Sequence, residues 1–118
     1  GRVIWRQSFS STKDILEVER NIFVVDEESE IQAFSGLTGI NLWKTSDYRL
    51  RNLTAPVKIN NYLVVGDFEG YLHFIDIENG SAIGRYRASR SGILTLQTYK
   101  NSLASLDISG RLTYLEVK

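Results

Sequence analysis

The chain has 118 residues, of which 42% are hydrophobic and 24% are charged, values typical of a folded domain and not of a disordered chain. Its 14 basic and 14 acidic side chains cancel, which argues against a protein that binds nucleic acid through a basic surface. It contains no cysteine, so disulfide bonds, thiol catalysis and cysteine-based zinc sites are excluded.

A 40-residue repeat organises the chain, because Asn21, Asn61 and Asn101 recur at that spacing. Three further columns align on these positions: an acidic column (Glu27, Asp67, Asp107), a turn column (Glu30, Gly70, Gly110) and an aromatic column (Phe34, Phe74, Tyr114). We expect the aromatic column to be buried at equivalent positions of three successive sheets, with Trp5 and Trp43 nearby.

In chain order, each repeat predicts short β-strands joined by turns. Residues 1–8 predict the last strand of a preceding unit, residues 14–46 and 54–88 predict two complete units, and residues 93–118 predict a unit of three strands. Residues 12–20 have the composition of a helical turn, but their alignment with residues 55–59 favours a strand. Gly70 and Gly110 close four-residue turns, whereas Glu30 predicts a turn of different build in the first copy.

Four strands in each of several 40-residue units predict an all-β chain, a β-propeller fragment of about three four-stranded blades. Closed propellers typically have four to eight blades, so we expect these blades to belong to a larger ring. Three blades alone leave apolar sheet faces and a strand edge uncovered. We therefore expect the chain to associate with the remaining blades of the same propeller or with a second copy of itself.

Two sets of motifs resemble a known family. The Gly-x-x-x-Trp segments at 1–5 and 39–43, and the pattern Asn-x-Leu-x-x-Gly-x-x-x-Gly-x-Leu at 61–72, resemble the quinoprotein-like (PQQ-type) repeat. Residues 61–80 resemble the penultimate blade of BamB-type outer-membrane protein assembly factors, and the segments at 23–26, 42–47 and 53–57 are similar to the preceding blade of that family.

This resemblance implies an eight-bladed propeller, with an N-terminal lipid anchor that is absent from this chain. It implies a position at the periplasmic face of the bacterial outer membrane and a non-catalytic scaffold role, in which the propeller binds the periplasmic POTRA domains of a BamA-like subunit. We expect no cofactor and no metal site in this chain. Two alternatives stay open: the propeller portion of a PQQ-dependent quinoprotein dehydrogenase, and a generic protein-binding propeller.

Catalytic and metal sites are not evident in the sequence, which lacks the common nucleophile, phosphate-loop and zinc motifs. The single histidine, His73, is interpreted as a strand residue. Asp26–Glu30 could suggest a calcium loop, but a solvated hairpin turn is favoured. Trp5 and Trp43 could stack on a planar ligand, but their repetition favours packing between blades.

One segment exceeds the needs of the repeat. Residues 44–55 join the outer strand of one blade to the inner strand of the next, and propellers bind partners through such loops. Tyr48, Arg49 and Arg51 are candidate partner-binding residues, because Tyr and Arg are enriched in interface hot spots. A plain connector with exposed arginines is the alternative. Arg85, Arg87 and Arg90 form a second basic stretch, for which a solvated strand face is favoured.

Overall fold

The computed structural model describes residues 1–9 and 12–118, which form three antiparallel sheets with strands in sequential order. Blade 1 contains β1 (Thr12–Val18), β2 (Asn21–Asp26), β3 (Ile31–Ser35) and β4 (Asn41–Thr45). Blade 2 contains β5 (Val57–Ile59), β6 (Tyr62–Gly66), β7 (Tyr71–Asp76) and β8 (Ala82–Arg87). Blade 3 contains β9 (Ile93–Tyr99), β10 (Ser102–Asp107) and β11 (Leu112–Glu116). The all-β prediction is confirmed.

The first two predicted strands, at residues 1–8 and from residue 12, differ in the structure. Residues 12–18 form β1, so the strand prediction for this helix-like segment is confirmed, because pairing with β2 outweighs local propensity. Residues 1–9 form no strand in the described sheets, and the assignment of residues 1–8 to a preceding unit stays a prediction. A strand requires a hydrogen-bonded neighbour, and none of the three described sheets pairs with this segment.

Trp43 packs between blades 1 and 2, as predicted, whereas the contacts of Trp5 are with blade 1. The indole N–H of each donates to a backbone carbonyl further along the chain, at 2.7 Å for Trp5 and 3.1 Å for Trp43. Each indole also covers a glycine with positive φ: Trp5 covers Gly39 (φ 76°) and Trp43 covers Gly80 (φ 78°). A Cβ atom on either glycine would lie within 2.8 Å of the indole, so the contact requires glycine.

Apolar side chains fill the spaces between the blades. The cluster between blades 1 and 2 is formed by Phe23, Val25, Ile31, Ala33, Trp43, Tyr48, Leu53, Leu63, Val65 and Ile75. The cluster between blades 2 and 3 is formed by Ile59, Val64, Leu72, Ile93, Leu96, Leu103 and Val117. The sheets are therefore held by burial of facing apolar side chains.

The second turn of every blade has the same build, contrary to the prediction for the first copy. In each turn an aspartate Oδ1 atom accepts hydrogen bonds from the backbone N–H groups two and four residues later; these aspartates are Asp26, Asp67 and Asp107. The residue three positions after the aspartate has positive φ in all three turns: Ser29 (64°), Gly70 (93°) and Gly110 (90°). The first-copy members of the columns are therefore Asp26 and Ser29, one residue before the predicted Glu27 and Glu30.

Because of this one-residue shift, the three residues of the aromatic column do not occupy equivalent positions, contrary to the prediction. Counted from the turn aspartate, Phe34 is the eighth residue, whereas Phe74 and Tyr114 are each the seventh. Successive strand residues point to opposite sheet faces. Phe34 is buried and contacts Trp5, whereas Phe74 is half-buried and packs toward blade 3. Tyr114 is 67% exposed, because its face of blade 3 has no sheet against it.

Blade 2 has no tryptophan at the position of Trp43, and the pairing of β7 with β8 explains why. In blade 1, Ala33 pairs with Trp43 across neighbouring strands, and in blade 2 the equivalent pair is Phe74 with Gly84. The large and small side chains have exchanged strands. The pair keeps one aromatic ring in both blades, and nothing lies within 4 Å of the Cβ that a side chain at Gly84 would add.

The outer face of blade 3 exposes large side chains, including Tyr99, Leu112 and Tyr114, each about two-thirds exposed. In the part of the chain that the structure describes, no helix has the length and apolar character to cross a membrane.

Candidate functional site

Residues 46–54, here called the connector, run from β4 of blade 1 to blade 2. Because β4 runs parallel to β2, the connector lies at the same end of the sheets as the aspartate turns, here called the turn end. The carbonyl of Arg51 accepts from the N–H of Phe68 at 3.0 Å, and the N–H of Thr54 donates to the carbonyl of Gly66 at 2.9 Å. Leu53 N–H donates to a hydroxyl in the blade 1 turn at 2.9 Å. Both blades therefore fix the connector.

Tyr48, one of the predicted contact residues, lies in the core. It is 7% exposed, and its ring centroid is 4.9 Å from that of His73. Burial raises the pKa of the Tyr48 phenol above 10.0, the charge of Asp47 raises it further, and the charge of Arg51 opposes both. Tyr48 thus anchors the connector to blade 2 by packing in the core.

Arg51 holds the connector to the blade 2 turn. One guanidinium nitrogen lies 3.3 Å from Asp67 Oδ2 and 3.0 Å from Glu69 Oε1. Asp67 is fully buried, and its Oδ2 is also 2.7 Å from His73 Nε2. A buried carboxylate needs such partners, because an unpaired one is costly. Arg51 is therefore a fixed and only partly exposed cation.

Arg49 and Leu50 are adjacent exposed side chains in the middle of the connector. Arg49 forms a solvent-exposed ion pair with Glu28 at 3.3 Å, of a kind that contributes little to stability. Leu50 is 89% exposed and has φ of 64°, a left-handed conformation that is costly for a leucine. Sequence reasoning missed Leu50, because neither its exposure nor its backbone conformation is encoded in its residue type.

Leu50 begins a row of exposed apolar side chains that runs from the connector across blades 2 and 3 at the turn end. The other members are Phe68 (51% exposed), Leu94 (58%) and Ile108 (70%). Leu50, Phe68 and Ile108 are linked through the backbone. The N–H of Phe68 donates to the carbonyl of the residue after Leu50, and the N–H of Ile108 donates to the carbonyl of Gly92 at 2.9 Å. Gly92 in turn lies against Phe68, since a Cβ on it would be 2.9 Å from the Phe68 carbonyl oxygen. We call these four residues the apolar row.

Of the remaining candidates, His73 and Asp26 have structural roles. His73 lies within β7, as interpreted from the sequence, and is 5% exposed between the rings of Tyr48 and Tyr71. Asp26 forms a turn through its own carboxylate, as favoured over a calcium loop. Among residues 1–9 and 12–118, no three acidic or histidine side chains are grouped to hold a metal ion. Arg85 and Arg87 both lie over the Tyr71 ring, at 4.4 and 5.1 Å.

Comparison with known proteins places these features in a family. The model of a family described as outer membrane protein assembly factor BamB matches residues 1–112. The chain is 42% identical over 95 residues to BamB of Shewanella oneidensis and 37% identical over 95 residues to BamB of Escherichia coli (strain K12), in each case 80% of this chain and 24% of the relative. The crystal structure of BamB from Moraxella catarrhalis superposes with a TM-score of 0.91 at 29% identity, covering 100% of this chain and 36% of that one.

A computationally designed protein, Ika8, also superposes, with a TM-score of 0.77 at 17% identity, and shows likeness of fold alone. The chain spans about a quarter of the length of the curated relatives that it matches. The family match, the sequence identity and the superposed blades agree with the repeat, the turns and the tryptophan–glycine contacts described above. The chain therefore belongs to the BamB family of outer membrane protein assembly factors.

Proposed function

We propose that this chain forms part of a non-catalytic scaffold of the outer-membrane β-barrel assembly complex, at the periplasmic face of the outer membrane. Its membership of the BamB family supports this role. The partner is the set of periplasmic POTRA domains of a BamA-like subunit. The quinoprotein dehydrogenase alternative is set aside, because the relatives that the chain matches are assembly factors.

The observation that carries the proposal is the exposed Leu50 on a fixed connector. An apolar side chain held out by a strained backbone costs free energy in the unbound protein, and burial against a partner recovers part of it. Because the connector is fixed at both ends, little further ordering is needed on binding. Arg49, Leu50 and Arg51 form the contact surface in this proposal, and Tyr48 positions them from the core.

The test is the affinity of the full-length protein for the POTRA domains, measured by isothermal titration calorimetry. Leu50→Ala should weaken binding by about 10-fold, as expected for an interface anchor. Arg49→Ala should weaken it by a smaller factor. The matched control is Leu37→Ala, since Leu37 is 63% exposed but lies in the β3–β4 turn at the opposite end of blade 1. Unchanged affinity for both connector variants would remove the connector from the contact surface.

The uncovered face of blade 3 supports a second part of the proposal, that further blades of the propeller or a second copy of the chain pack against it. Exposed tyrosine and leucine side chains on one sheet face are characteristic of a surface that packs in an assembly. Sedimentation velocity of the isolated 118-residue chain tests this part. Self-association is expected at micromolar concentration, and a cooperative, soluble monomer would contradict it.

A further inference from the structure

We propose that a pocket between blades 2 and 3, lined by Arg87, Arg90 and Arg111, binds an oxyanion: a phosphate group or a carboxylate. Ala88 and Ser89 complete the lining of this cavity of about 280 Å³, here called the arginine pocket. The site is separate from the connector, which joins blades 1 and 2. It therefore goes beyond the surface proposed for the assembly subunit.

The three arginines come from different parts of the fold. Arg87 is the last residue of β8, Arg90 lies in the link to β9, and Arg111 immediately precedes β11. Ser89 fixes the link, because its hydroxyl donates to Asp107 Oδ2 at the base of the blade 3 turn. The pocket is thus assembled only when blades 2 and 3 pack together.

Arg87 is oriented before any ligand binds. Its Nε donates to the carbonyl oxygens of Glu69, at 3.2 Å, and Ser89, at 3.1 Å. Its guanidinium carbon also lies 5.1 Å from the centroid of the Tyr71 ring. These contacts use the Nε atom and the face of the guanidinium group. The terminal nitrogens are left to form the parallel pair of hydrogen bonds that suits carboxylate and phosphate oxygens.

The charges of the pocket are not balanced by neighbouring acids. In the described part of the chain, none of the three arginines forms a salt bridge within 4.0 Å, whereas Arg49 and Arg51 both do. Asp107 is the buried acid of this region, but it is 2% exposed. Its oxygens already accept bonds from two backbone N–H groups and two serine hydroxyls. Like charges that line one pocket repel each other, and a bound oxyanion would relieve that repulsion.

The test uses the full-length protein, with inorganic phosphate and a hexaglutamate peptide as separate probes. Binding is followed by the NMR signal of the Arg87 Nε–H group and by calorimetry. At least one probe should shift that signal, and Arg90→Ala combined with Arg111→Ala should weaken its binding by about tenfold or more. Tighter binding of phosphate would identify a phosphate group as the ligand, and tighter binding of the peptide would identify protein carboxylates.

Arg85→Ala is the matched control, because Arg85 also lies on β8 and over Tyr71 but does not line the pocket. It should leave the affinity within about twofold, since it removes one positive charge beside the pocket without removing a ligand contact. Absence of a shift with both probes at millimolar concentration would overturn the proposal. An equal loss of affinity in the Arg85 variant would also overturn it, since binding would then follow general charge. The substituted arginines are exposed, so the variants are expected to fold, and circular dichroism checks this.

Discussion

Replacing Gly80 with alanine tests whether the tryptophan–glycine contact holds blades 1 and 2 together. Gly80 has φ of 78°, and an added Cβ would lie 2.5 Å from Cε3 of Trp43. Trp43 cannot move aside freely, because it is 9% exposed and its indole N–H donates to the Ile77 carbonyl at 3.1 Å. The substitution therefore combines backbone strain with a collision against a fixed ring.

The two contributions can be separated with a second glycine. Gly110 has φ of 90°, and nothing lies within 4 Å of the Cβ that alanine would add, so Gly110→Ala introduces strain alone. We expect that variant to lower the free energy of unfolding by about 1 kcal/mol. Gly80→Ala should lower it by about 2–4 kcal/mol, since overpacking costs a further 1–3 kcal/mol or so.

The assay is urea denaturation of both variants and of the unsubstituted protein, followed by tryptophan fluorescence and analysed at a common slope. A third variant, Gly80→Ala combined with Trp43→Ala, should show a free-energy loss smaller than the sum of the two single losses, because the collision is gone. Equal losses of unfolding free energy for Gly80→Ala and Gly110→Ala would refute the reasoning, since contact with the indole would then add nothing to the cost of the substitution.

Three further expectations follow from the same geometry. Phe74→Ala should lower the free energy of unfolding by about 2–4 kcal/mol, whereas Tyr114→Ala should change it by less than about 0.5 kcal/mol in this chain, because only Phe74 packs against another blade; urea titration distinguishes them. The hydrogen bond from Ser89 is the main cause that lowers the pKa of Asp107 to about 2, assisted by the Arg111 N–H, while burial opposes the shift. The resulting stabilisation is present above pH 3.8, the pKa of the unfolded carboxyl group, and is lost as the pH falls toward 2. Ser89→Ala should therefore move acid unfolding to higher pH, and carbon-13 NMR of the Asp107 carboxyl group measures the change in its pKa. The Tyr48 phenol should ionise above pH 10, and since its folded pKa is raised, the stability it confers is lost as the pH rises; Tyr48→Phe should remove this alkaline transition from an ultraviolet titration.

The repeat made the fold predictable from the sequence. Gly70 and Gly110 mark turns through a backbone conformation that few other residues adopt, and the runs between them have strand propensity. Where the first copy departs from the pattern, the alignment failed by one residue. Ser29 adopts positive φ although it is not glycine, so no glycine marks this turn in the sequence. A shift of one residue in the alignment reverses the predicted sheet face of every side chain on the strand.

The candidate site was predictable only in outline. The length and composition of the connector pointed to a segment with a role beyond the repeat, and this segment does lie at the exposed turn end. The sequence could not separate Tyr48, which is buried, from Leu50, which is exposed, because tyrosine occurs in cores and in interfaces alike. The arginine pocket also escaped the sequence, since Arg111 is distant along the chain from Arg87 and Arg90.

The sequence by itself determined most of the local elements: the strands from residue 12 onward, the two aspartate turns that carry glycine and the place of Trp43 follow from residue type and spacing. The tertiary structure decided which side chains are buried and which meet. Trp43 and Phe74 show the difference. In blade 1 the aromatic ring of the pair is on β4, and in blade 2 it is on β7. Which strand carries the ring depends on how it packs against the facing sheet. Burial depends on neighbours that are distant along the chain, and local sequence patterns do not identify those neighbours.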